Sequence, residues 1–99
     1  MIRHCVLLRF HNHVDSEAID GLDQTLADLS SLPMIRDYRF GRDLKLADGN
    51  VDYAIIADFA NAAAYEVYAQ DPVHLDILKQ RIRPLVAERT ALQFEWPEG

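Results

Sequence analysis

Residues 2–10, IRHCVLLRF, form a run of β-formers with two usable faces. Successive side chains of a strand point to opposite sides. Ile2, His4, Val6, Leu8 and Phe10 therefore share one face, and Arg3, Cys5, Leu7 and Arg9 the other. The first face is nearly continuous core. The second mixes charge with apolar surface, as expected where a strand meets something less oily than packed helices. Any fold built on this strand needs helices on one side and a different cover on the other.

The periodicity then changes. In DSEAIDGLDQTLADLSSLP (15–33), Ile19, Leu22, Leu26 and Leu29 recur at spacings of three, four and three, which makes one helical stripe. Asp15 or Ser16 caps its start and Pro33 bounds its end. IRDYRFGRDL (35–44) reads as a second strand with Gly41 as a bulge candidate. LADGN (46–50) signals a turn into a third strand, VDYAIIADF (51–59). There Tyr53, Ile55, Ala57 and Phe59 face one way, and Asp52, Ala54, Ile56 and Asp58 the other. Asn61 caps a helix over 62–70. Asp71-Pro72 ends that helix and opens another over 73–82, because a residue before proline leaves the helical region and proline suits a first helical position. ALQFEW (91–96) closes the chain as a strand, alternating Leu92, Phe94 and Trp96 with Gln93 and Glu95.

The order predicts an α+β, ferredoxin-like β-α-β-β-α-β fold with a four-stranded antiparallel sheet, one domain over residues 1–99. Two helices cover one sheet face. The other is expected to carry Cys5, Leu7, Arg9, Ala54, Ile56, Asp58, Gln93 and Glu95, a partly apolar surface that suggests a homodimer.

A formal net charge of −6 repels phosphate backbones and argues against nucleic-acid binding, so Arg36, Arg39 and Arg42 read as a solvated or inter-subunit set. A single cysteine, Cys5, forbids an intrachain disulfide and a cysteine-based metal cluster. His11 and His13 lack third and fourth ligands nearby, so no metal site is expected. The start MIRHCVLLRFH does not suit a signal peptide and no apolar run is long enough to span a bilayer, which makes a cytoplasmic location without membrane partners the expectation.

HCVLLRF, IRDYRFGRDL, YAIIADFANAAAYEVYAQDPVH and RPLV before the final aromatic strand together resemble the Dabb family, the stress-responsive dimeric α/β-barrel proteins. The resemblance runs through almost the whole chain. It implies a homodimer whose two sheets pack face to face into a barrel. In the polyketide-cyclase type of member, a histidine in a Pro-x-His segment serves as base, helped by a tyrosine six positions earlier. His74 and Tyr68 match those positions, and His4 matches a histidine on the first strand. Two positions depart: Asp71 stands where members often have histidine, and Ile55 where the cyclase type has a pocket histidine.

The candidate catalytic set is thus His74, Tyr68 and His4, with Tyr53, Ile55, Phe59 and Phe94 as candidate pocket lining. The resemblance implies a small apolar or ketide-like ligand and acid–base, cyclase-like chemistry without a cofactor. A non-catalytic stress-responsive dimer and a monooxygenase-like relative are the alternatives. Each histidine also has a purely structural reading: His74 as support for the Asp71-Pro72 junction, and His4 as a hydrogen-bonded core residue.

Overall fold

A computed structural model describes residues 1–97. The elements run β1 (Ile2–Phe10), α1 (Ser16–Leu29), β2 (Asp37–Arg42), β3 (Tyr53–Phe59), α2 (Ala62–Gln70), α3 (Pro72–Ile77) and β4 (Val86–Glu95). The four strands pair antiparallel in the order β2-β3-β1-β4, with the helices on one face, as the ferredoxin-like reading requires.

Local chemistry sets the helix starts. Asp15 accepts from the Ala18 amide and Asn61 from the Ala64 amide, each at 2.9 Å. Asp71 serves two amides, Val73 at 2.9 Å and His74 at 3.0 Å, with Pro72 at the first helical position. Such caps satisfy backbone donors that a helix start leaves unpaired.

Some boundaries differ from expectation. Helix α1 ends at Leu29 rather than at Pro33, where the Ser30 and Ser31 hydroxyls donate to the Ala27 and Asp28 carbonyls. Gly41 sits in regular register, and a register shift lies instead between Arg9 and Phe10. Gly49, at φ 82°, supplies the left-handed turn before β3. The helix expected over 73–82 stays α-helical only to Ile77 and opens into a π turn at Leu78–Ile82, followed by a 3-10 turn at Arg83–Leu85. Pro84 accounts for this: it has no N–H for the Gln80 carbonyl, and its ring crowds that carbonyl.

The largest correction concerns β4, which begins at Val86 rather than at residue 91 and pairs with β1 along its whole length. Directly opposed residues of an antiparallel pair share a face. Gln93 opposes His4 and Glu95 opposes Ile2, so both belong to the helix-facing side and not to the open face expected for them. Leu92 opposes Cys5 and Phe94 opposes Arg3; these two join the open face, 56% and 39% exposed. The apolar alternation of β4 therefore points away from the helices.

The helix-facing side holds the core. Leu22, Leu26 and Leu29 of α1 pack on Leu8, Phe10, Tyr53 and Ile55, while Ala57, Phe59 and Tyr68 form a second cluster. On the open face Arg3 grips the buried Asp58 carboxylate through Nε at 2.8 Å and Nη2 at 2.9 Å. Its guanidinium also lies 3.9 Å from the centre of the Trp96 ring. No helix among the described residues is long and apolar enough to cross a membrane.

Candidate active site

Between the sheet and the α2–α3 region lies a cavity of about 200 Å³. Strand alternation carries His4 and Ile55 to its floor, and Tyr38 of β2 joins them. The break at Asp71-Pro72 builds its roof. In one continuous helix, Tyr68 and His74 would stand about 120° apart around the axis. Asp71 instead adopts an extended conformation, ψ 127°, and the new helix folds back. The two rings end up stacked, with centroids 3.9 Å apart and planes at 27°. A residue pair that a straight helix would separate is thus brought to one wall.

The His74 ring points inward and is only 8% exposed. Its Nδ1 is buried and makes no aligned hydrogen bond. Burial lowers its pKa, and this outweighs the Tyr68 backbone carbonyl and Asp71, which both favour the protonated ring. His4 is buried too, its Nδ1 2.8 Å from Gln93 Nε2. Burial first, then the charge of Arg89 and the neighbouring His74, push its pKa down to about 4. At neutral pH both rings are therefore uncharged. The Tyr38 and Tyr68 hydroxyls stand 3.5 Å apart, and burial raises both phenol pKa values, so each keeps its proton. Tyr65 packs beside His4 with ring centroids 5.1 Å apart.

Of the residues singled out from sequence, His4, Ile55, Tyr68 and His74 meet at this cavity. Tyr53, Phe59 and Phe94 do not line it. Tyr53 is buried under α1, its hydroxyl donating to Asp23 at 2.5 Å. Phe59 is fully buried behind the cavity wall, against Tyr68 at 5.0 Å. Phe94 stands on the opposite sheet face, for the register reason given above.

Sequence reasoning overlooked Tyr38 and Arg89, and set Gln93 on the open face instead of beside His4. Tyr38 shares its strand face with Phe40, and that alternation is a usable signal. Arg89 lies in the part of β4 that reads as a connection, so nothing local assigns it a face. His11 and His13 stack at 5.5 Å, and no group of three or more His, Cys, Asp or Glu suited to a metal occurs among the described residues.

No curated protein matches the chain significantly. A dimeric ferredoxin-like protein of unknown function from Thermobifida fusca YX is 34% identical, with a TM-score of 0.89 over 96% of this chain and 90% of that one. A hydroxynitrile lyase from Passiflora edulis superposes with a TM-score of 0.85 at 19% identity, covering 99% and 94% of the two chains. A Dabb family protein from Mesorhizobium loti gives 0.77 at 24% identity, covering 99% and 97%. The profile of the Stress responsive A/B Barrel Domain matches residues 2–96, and the chain belongs to this family, Dabb.

Proposed function

We propose that this protein binds a small carbonyl compound in the cavity beside His74 and moves a proton on it without a cofactor. The observation that carries this reading is a buried, uncharged histidine lining a cavity, stacked on a tyrosine and short of one aligned hydrogen bond. A proton held on Nδ1 leaves the lone pair on Nε2. That nitrogen takes a proton from the carbon beside the carbonyl, and the C–H electrons pass into the enolate. The Tyr38–Tyr68 hydroxyl pair donates hydrogen bonds to the enolate oxygen. Their raised pKa values suit them to stabilise that charge while keeping their own protons.

The cavity, at about 200 Å³, lies below the roughly 300–1,000 Å³ typical of sites for larger organic ligands. This favours a short ketone over a long ketide chain. Ile55 leaves an apolar wall at the position where cyclase-type members have a histidine, so His74 acts as the base alone.

The test is deuterium exchange. Acetophenone in D2O is followed by NMR with wild-type protein, His74→Gln and Tyr68→Phe. Faster loss of the methyl signal with wild type, abolished in His74→Gln and reduced in Tyr68→Phe, is the expected result. A rate with wild type equal to that of buffer contradicts the reading.

The working unit in this reading is a homodimer. Cys5, Leu7, Arg9, Ala54, Ile56 and Asp58 form the packing face, with Leu92 and Phe94 in place of Gln93 and Glu95. The T. fusca relative is described as dimeric, and the exposed apolar side chains here sit on the face that two sheets would share. Sedimentation at micromolar concentration should give the mass of two chains; the mass of one chain overturns this part.

A further inference from the structure

Charge is unevenly placed in this acidic protein. Four of its ten basic residues, Lys79, Arg81, Arg83 and Arg89, fall between positions 79 and 89, where Glu88 is the only acid. Glu88 is engaged by Arg9 across the open face, at 3.7 Å. Elsewhere basic side chains are tied to carboxylates, as in Arg3 with Asp58, Arg42 with Asp20 and Asp23, and Lys45 with Asp52. The Arg83 and Arg89 side chains make no hydrogen bond or ion pair among the described residues.

These two arginines stand at a second cavity of about 370 Å³. It adjoins the first, because Leu8, Leu78, Ile82 and Arg89 line both. The π turn makes this junction, presenting Leu78 and Ile82 to the two spaces at once. The inner chamber is apolar and aromatic around two uncharged histidines. The outer one carries two guanidinium groups. Neither chamber is lined by Asp or Glu.

We propose that the ligand is an anionic carbonyl compound, a small keto acid, whose carboxylate is held by Arg89 and Arg83 in the outer chamber while its carbonyl end reaches His74 in the inner one. This rests on the assignment of the His74 cavity as the reactive site. A guanidinium matches a carboxylate through two parallel N–H donors, and a cavity free of acidic side chains offers no competitor. Arg89 sits where its charge serves both chambers: it opposes protonation of His4 and His74 and favours ionisation of Tyr68. The same field that adds to burial in disfavouring the imidazolium would steady an enolate. Arg83 and Arg89 thus act as substrate-positioning residues.

The experiment compares 4-phenylbutyrate with 4-phenylbutyramide, isosteric ligands that differ in charge, by calorimetric titration at 50 mM NaCl. The carboxylate is expected to bind about tenfold more tightly than the amide, the scale of one charge-assisted hydrogen bond. That preference should shrink to less than about threefold in the Arg83→Gln/Arg89→Gln double variant. It should persist in Lys45→Gln, which alters a cation remote from both chambers. Equal affinities for acid and amide in wild type, no binding of the acid at millimolar concentration, or a full preference in the double variant would each overturn the proposal. Neither ligand reacts in this measurement. A failure of ketone exchange therefore leaves the charge preference standing, and loss of the preference leaves the exchange result standing.

Discussion

The two halves of the helix-facing layer use similar residues to opposite ends. Under α1, Tyr53 is buried and its hydroxyl is committed to Asp23, which also receives Arg42. Leu26 and Leu29 belong to the same packed cluster as Tyr53. Under α2 and α3, Tyr68 and His74 are as well buried, yet the Tyr38 and Tyr68 hydroxyls only approach one another and His74 Nδ1 has no aligned partner. Buried polar groups are normally satisfied. One half meets that rule through its own side chains, and the other leaves a polar group unpaired at the cavity.

The sharpest break between the halves should come from volume. Leu26→Ala, at a fully buried site, is expected to lower unfolding free energy by about 3–5 kcal/mol in urea titration at fixed protein concentration. Leu78→Ala, which only enlarges an existing cavity, should lose less than half as much. Equal losses would mean that the α3 side is packed as tightly as the α1 side.

Next comes acid. Well above pH 6.5, His4 is uncharged in the folded and unfolded chain and contributes no slope. As pH falls toward 4, the unfolded chain binds a proton that the folded chain refuses, because the folded pKa is about 4. Stability should therefore fall across that window by roughly 3 kcal/mol, at about 1.4 kcal/mol per pH unit. His74, also lowered, adds to the slope in the same direction. His4→Gln should flatten it, measured by urea unfolding at pH 7 and pH 4.5. An unchanged slope in that variant would place the sensitivity elsewhere.

Smaller effects separate structural from available polar groups. Tyr53→Phe removes one partner of Asp23 and should cost about 1–2 kcal/mol. His74→Leu, of similar bulk, removes a buried nitrogen without an aligned hydrogen bond, so it should leave stability unchanged or raise it by up to about 1 kcal/mol while abolishing proton exchange. Thermal unfolding and the deuterium assay, run on the same samples, check both. A large loss of stability in His74→Leu would make the histidine a structural support of the Asp71-Pro72 junction.

What was legible in the sequence was local or periodic. Asn61 and Asp71 are recognisable as caps because capping involves residues two or three positions away. The faces of β1 and β3 follow from strict alternation. The facing of β4 was not legible, since Leu92, Phe94 and Trp96 look like a core stripe until the register with β1 is known. A one-residue change in register reverses every side chain, and only the pairing of Gln93 with His4 fixes which side is which. The same step hid Arg89. At the site, Tyr68 and His74 were found through the family motif, whereas Tyr38 reaches the cavity from a strand thirty residues away in sequence from Tyr68. Contacts between distant segments leave little trace in one chain's pattern.

The central claim is that the His74 ring is uncharged, with its proton on Nδ1 and its Nε2 lone pair open to a ligand. Nitrogen-15 spectra of the histidine rings at pH 7, recorded before and after adding acetophenone, test it most directly. The account predicts the Nδ1–H form of His74 and a change at Nε2 on addition of the ketone. An imidazolium signal, or a His74 ring unmoved by ligand at saturating concentration, would contradict it.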